Sequence, residues 1–158
     1  MNYSRKVGGA KAYNFGVLFE TIFQVSCKKS MIAVTRIPDG CKQLSGGKII
    51  RVTTPFDFVV TYKSKSAFVD TKTIDGECFH YSSIKEHQVS EMILHENYGA
   101  IAGYVIWFRQ IDVIIFVPAH ILLENIKSKT SARISQSGVI VLGTHLNADM
   151  RLIFDRIS

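Results

Sequence analysis

The sequence predicts one mixed α/β domain, a central mixed β-sheet flanked by helices, and three observations predict it. Apolar residues first recur at helical spacing, then form short runs separated by turn residues, then return to a helical pattern before further runs. That order suits a layered sheet with covering helices. The chain has 158 residues, 47% of them hydrophobic, which is enough for one domain with a real core and too short for two comfortable ones. Cys27, Cys41 and Cys78 are odd in number, widely spaced and without a Cys-x-x-Cys pair, which argues against a disulfide framework and a zinc site.

Taken in order, Phe15, Leu18, Phe19 and Ile22 mark an amphipathic helix over residues 13–29, with Lys28 and Lys29 at the end where cations suit the helix dipole. Glu20 lies beside this apolar stripe. Residues 31–36 read as a short strand, followed by the turn chemistry of Pro38-Asp39-Gly40. Residues 37–53 are expected to form a short projecting hairpin, closed by Gly46-Gly47, with its second strand over 48–53. Pro55 restrains the backbone to an extended approach before a strand over 57–62, and Lys63-Ser64-Lys65-Ser66 is the next turn. In the strand over 67–73, Asp70 and Lys72 share one face while Val69 and Thr71 share the other. Ser82 or Ser83 is expected to cap a helix over 84–97, which Gly99 ends. Residues 100–108 form a continuous apolar run of the kind buried strands show. A strand over 113–117 broken by Pro118, a short helix over 120–126, a strand over 139–142 and a terminal helix from Asn147 complete the chain. Met150, Leu152, Ile153 and Ile157 are the apolar positions of that last helix.

Residues 1–12 read as a basic arm ahead of a domain over 13–158, and Arg5, Lys6 and Lys11 are candidates to touch phosphates. The arm lacks the apolar core of a signal peptide, and no run approaches the roughly 20 apolar residues of a membrane span. With the cysteine pattern, this reads as a soluble protein of a reducing cytoplasm. Lys and Arg total 19 against 13 Asp and Glu, a net charge of +6 that favours a polyanionic partner. A charge of that size also serves solubility alone.

The chemistry concentrates in Pro55-Phe56-Asp57 and Phe68-Val69-Asp70-Thr71-Lys72. Carboxylates on neighbouring strands, with a backbone carbonyl from Thr71, suit Mg²⁺ (or Mn²⁺), and an ammonium on the same face can orient a water or offset charge at a phosphodiester. Asp-x-Lys by itself is common on exposed strands as a solvated ion pair. Here both acids interrupt apolar segments, and a partly buried carboxylate requires a cation or hydrogen bonds. Taken alone, Glu20 reads as a solvated boundary residue and Gln88 as an exposed helix position. His80, His87, His95, His120 and His145 form no zinc spacing, so no metal is assigned to histidine. Gly8-Gly9 and Gly46-Gly47 are not phosphate loops. Lys63 and Lys65 in the turn are candidate phosphate contacts, or ordinary solvated charges.

Together, Asn14-Phe15-Gly16-Val17-Leu18-Phe19-Glu20, Thr54-Pro55-Phe56-Asp57, Val69-Asp70-Thr71-Lys72, His87-Gln88 and the run from Gly99 to Phe108 resemble the RecU-type Holliday-junction resolvases, a branch of the PD-(D/E)xK nuclease superfamily. The resemblance implies a restriction-endonuclease-like core. It also implies a metal site of Glu20, Asp57, Asp70 and the Thr71 carbonyl, Lys72 as catalytic lysine, and Gln88 positioning the scissile phosphate or the water. A homodimer making paired incisions in a four-way junction is implied as well, leaving 5′-phosphate and 3′-hydroxyl ends. Phe15 stands where the family tends to have arginine, Asp70 replaces the commoner glutamate, and residues 37–53 are shorter than the family's stalk, which enters the centre of the junction. Lys42, Lys48 and Arg51 would line a reduced projection, or belong to an ordinary basic hairpin. Two other functions remain open: a restriction, nicking or repair endonuclease acting on duplex DNA, and a non-catalytic recombination accessory protein that binds DNA.

Overall fold

A computed structural model of the chain describes residues 4–155, with side chains from residue 14 onward. Along the chain run α1 (Ser4–Lys29), β1 (Ala33–Arg36), β2 (Gly40–Gln43), β3 (Ile49–Val52), β4 (Phe58–Tyr62), β5 (Lys65–Ile74) and β6 (Cys78–Phe79). Then follow α2 (Glu86–Asn97), β7 (Ile101–Phe108), β8 (Val113–Pro118), α3 (Ala119–Ser128), β9 (Ala132–Arg133), β10 (Ile140–Gly143) and α4 (Leu152–Asp155). Six strands form one sheet in the order β1-β4-β5-β7-β8-β10. Only β5 and β7 pair in parallel, and α2 lies in the crossover that parallel pairing demands; the other neighbours are antiparallel. The architecture is thus the expected mixed sheet flanked by helices. Among the described residues no helix is long and apolar enough to cross a membrane.

Two apolar clusters sandwich this sheet. On one side Phe19, Phe23 and Cys27 of α1 pack on Phe58, Val60, Ala67 and Val69, with Ile153 and Phe154 of α4 closing the end. The Phe23 and Phe58 rings meet at a tilt with centroids 5.1 Å apart. On the other side Val89 and Met92 of α2 and Leu122 of α3 cover Tyr104, Ile106, Ile115 and Val117. Strand β7 is buried along its whole length, as its unbroken apolar run requires, and alternates between the clusters: Val105 and Trp107 face α1, Tyr104 and Ile106 face α2. At Gly103 any side chain is excluded, because a Cβ there would lie 2.2 Å from the Val117 carbonyl oxygen. Close approach of β7 and β8 therefore depends on this glycine.

The expected hairpin over 37–53 is present as β2 and β3, paired from Gly40↔Val52 to Gln43↔Ile49 in a two-stranded sheet of its own. All eight strand residues are exposed. Its root is closed where Ile37 N–H donates to the Asp57 carbonyl at 2.7 Å, and Arg51 pairs with Asp39 at 2.6 Å.

Several expected boundaries moved for identifiable reasons. Helix α1 begins at Ser4, despite Gly8-Gly9 with its low helix propensity. Residues 1–3 of the expected arm, and the side chains of Arg5, Lys6 and Lys11, lie outside the described residues. Leu18, placed in the buried stripe from sequence, is 45% exposed, and the buried face runs instead through Phe19, Phe23 and Cys27. Ser82 and Ser83 do not cap α2; they sit in a 3₁₀ turn capped by His80. Ile84 is extended and buried, and this pulls the chain out of helix until Lys85. The terminal helix starts later than expected: Asp149 Oδ1 accepts the Arg151 N–H at 3.0 Å and holds a turn there, so α4 starts only at Leu152. Ile157 lies outside the described residues.

Candidate active site

Asp57 directly precedes β4, whose register with β5 pairs Phe58 with Val69 and so sets Asp57 opposite Asp70. Asp57 N–H donates to the Val69 carbonyl at 2.9 Å and fixes this junction. The Asp57 side chain is anchored too, since its Oδ2 accepts both the Thr71 amide and the Thr71 hydroxyl, each at 2.9 Å. Among the described residues its Oδ1 makes no such bond. The expected alternation along β5 holds: Asp70 and Lys72 point to the α2 side, where register pairs Asp70 with Tyr104 of β7.

Asp70 is only 3% exposed. Its Oδ2 forms an ion pair with the Lys72 ammonium but accepts no hydrogen bond of ordinary geometry. Burial pushes its carboxyl up to about 6; the Lys72 charge opposes that rise and the Asp57 charge adds to it. The Lys72 ammonium lies 5.1 Å from the Tyr104 ring centroid. The Tyr104 hydroxyl donates to Gln88 Oε1 at 2.8 Å, and Lys85 N–H donates to the same hydroxyl at 3.4 Å. Burial, with the nearby Asp70 charge, pushes the Tyr104 phenol above its ordinary range. Gln88 is therefore no exposed helix position: it is buried at 6% exposure, with Oε1 committed to Tyr104 and Nε2 left to donate.

Five of the six residues singled out from sequence, Asp57, Asp70, Thr71, Lys72 and Gln88, are thus gathered around one point of the sheet. Glu20 approaches from the α1 side, where it shares a cleft with Asp57, Arg36 and Arg51, and pairs with Arg36 at 3.0 Å. Sequence reading missed Tyr104, which joins Lys72 to Gln88, and Arg36, which neutralises Glu20. Tyr104 had one legible signal, a hydroxyl in an otherwise apolar run; its pairing with Asp70 was not legible.

The donor set fits a small, hard cation. Asp70, whose Oδ2 meets the Lys72 ammonium, sits at the register position opposite Asp57, whose Oδ1 is uncommitted among the described residues, and Mg²⁺ is commonly held by one or two carboxylates while keeping several waters. Among the described residues no three His, Cys, Asp or Glu side chains converge into a ready-made cage.

No curated protein matches the chain. Among solved structures, the chain is similar to Hjc, a Holliday junction resolvase of Archaeoglobus fulgidus, at 17% identity and a TM-score of 0.49, over 66% of this chain and 78% of that one. The family model of recombination protein U matches residues 20–155, a span that holds Glu20, Asp57, Asp70, Lys72 and Gln88. The chain belongs to the RecU family.

Proposed function

We propose that this protein is a Mg²⁺-dependent endodeoxyribonuclease that resolves four-way DNA junctions by paired phosphodiester hydrolysis. The observation that carries this reading is the buried Asp70, set opposite Asp57 and paired with Lys72, in a chain of the RecU family. Asp57, Asp70 and the Thr71 carbonyl would hold the cation, joined by Glu20 if it leaves Arg36. When bound, Mg²⁺ supplies Lewis acidity at the phosphate and lowers the pKa of a coordinated water.

The chain's own groups do the rest. Lys72 orients the attacking water and offsets charge that develops on the phosphoryl oxygens. Gln88, held by the Tyr104 hydroxyl, presents Nε2 toward the phosphate or the water. Water attacks phosphorus, the P–O3′ bond breaks, and the products carry a 5′-phosphate and a 3′-hydroxyl. The β2–β3 hairpin, rooted beside Asp57 and carrying Lys42, Lys48 and Arg51, would meet the junction centre as a reduced projection. Two symmetric incisions require two such sites related by a twofold axis, so the working form is a homodimer.

The test is cleavage of a labelled four-way junction against linear duplex of the same arms, with Mg²⁺ and with chelator, for wild type and Asp70→Asn. Symmetric, metal-dependent cuts confined to the junction and lost in the variant are expected. Equal cutting of the linear duplex would move the function to a duplex endonuclease; no cutting of either would leave a DNA-binding accessory protein. Sedimentation of the protein as a monomer, alone and on the junction, would remove the paired-incision step.

A further inference from the structure

Away from the carboxylates, the segment linking α3 to β10 builds a second polar site. Lys129, Thr130, Ser131, Arg133, Ser135 and Gln136 line an open pocket of about 470 Å³, and no acidic side chain lines it. Among the described residues neither Lys129 nor Arg133 has a carboxylate partner, whereas Arg36, Arg51, Arg109 and Arg151 each do.

The pocket is held in shape from beneath. Asn125 of α3, 1% exposed, exchanges two hydrogen bonds with Gln136, at 3.2 and 2.5 Å, and accepts from the Thr130 hydroxyl at 3.4 Å. The Thr130 and Ser128 hydroxyls lie 2.7 Å apart. Both rims are thus tied to one buried amide, and a ligand would meet groups already in place. Lys129 occupies the left-handed C-cap of α3 at φ 54°, a position where glycine or asparagine costs least. The lysine at this position puts its cation on the pocket wall. The pocket also connects to the candidate active site: β9 pairs Arg133 with Cys78 and Ala132 with Phe79, and the Phe79 ring meets Tyr104 edge-on at 5.9 Å.

We propose that the Lys129–Arg133 pocket is a phosphodiester-binding site, which takes the backbone of a DNA arm as it leaves the catalytic carboxylates. Cations with hydroxyl and amide donors, free of competing acids, are the set that grips phosphate oxygens, and such contacts fix register without reading sequence. The proposal rests on the DNA-nuclease reading and adds to it the path of the bound strand.

The experiment measures binding of a labelled four-way junction by fluorescence anisotropy in chelator, from 50 to about 300 mM salt, a range over which phosphate contacts dominate affinity. Lys129→Asn combined with Arg133→Gln keeps the left-handed turn while removing both charges. A roughly tenfold weaker affinity near 100 mM salt is expected, with a salt slope shallower by about 2 at an unchanged melting temperature. Ser135→Asp, an exposed loop change that places a negative charge at the rim, should weaken binding in the same direction and serves if the double variant melts early. Wild-type affinity and slope in a folded double variant, or in Ser135→Asp, would overturn the proposal, as would a wild type that binds no DNA. The nuclease reading fails separately: it falls if the wild type binds DNA with the expected slope change between variants yet cuts neither junction nor duplex.

Discussion

On the α1 side of β5, Ala67 and Val69 meet Phe19, Phe23 and Phe58 in an apolar cluster, whereas on its α2 side Asp70 and Lys72 meet Tyr104 and Gln88. Val69 and Asp70 are adjacent in one strand, both buried, and obey different rules. Ala67 and Val69 answer to packing alone, with aromatic pairs such as Phe19 and Trp107 at 5.6 Å on the same side. The α2 side holds a carboxylate whose charge the interior disfavours, a placement that costs stability and that the proposed nuclease chemistry would explain. Comparing the two faces shows that burial sets how much a residue matters, while the partner groups around it set whether it matters for folding or for function.

The largest effect is expected on the apolar face. Phe23→Ala should cost about 3–5 kcal/mol in urea unfolding, through lost burial and the cavity left against Phe58, while the folded variant still cuts DNA at low temperature. A similar loss of turnover in the folded protein would break the comparison. On the polar face, Asp70→Asn should lower cleavage by roughly a thousandfold, about 4 kcal/mol of barrier. The same change should raise the melting temperature of the metal-free protein, and a lower one would place Asp70 among the stabilising residues.

The pH dependence sharpens this further. The carboxyl of Asp70 is raised from 3.8 to about 6 in the fold, so between those values the folded chain binds more protons than the unfolded one. In chelator, its contribution to stability is greatest below about pH 4 and declines as pH rises toward 6, by about 3 kcal/mol in all. The difference in urea midpoint between wild type and Asp70→Asn, followed from pH 4 to 7, isolates this dependence; a flat difference would contradict it. The smallest effect belongs to Tyr104→Phe, which keeps the ring under Lys72 and removes the donor to Gln88. About 1–2 kcal/mol of stability and up to a tenfold loss of kcat, with KM unchanged, are expected if Tyr104 positions Gln88.

The polar face was legible in part because strand parity is a strict rule. Once Asp70 and Lys72 were placed two apart in a strand, their common direction followed, and the register then set Asp57 opposite Asp70. Register across β5 and β7 was not legible, since it depends on where the α2 crossover returns the chain, and so Tyr104 went unnoticed. Gln88 was read as exposed because the helix pattern around it is polar on several sides; only the tertiary fold shows that its face turns inward. The hairpin was visible from its glycines and turn residues, which act locally. The start of α2 was misplaced because burial of Ile84 overrode the local capping preference of the serines.

The hydrogen bond from Ile37 to Asp57 means that the chain departs from the framework and returns to it at one spot. Between those residues, apart from Phe56, which is buried against Phe68 and His95, the chain is an insert on a closed base, and the cost of lengthening such an insert grows slowly, by about 0.6 kcal/mol per doubling. Its length and composition are therefore open to drift, or to grafting by design, without rebuilding the sheet that carries Asp70. On the proposed reading, which DNA shape is recognised and how the bond is broken would be separately heritable traits of one small chain.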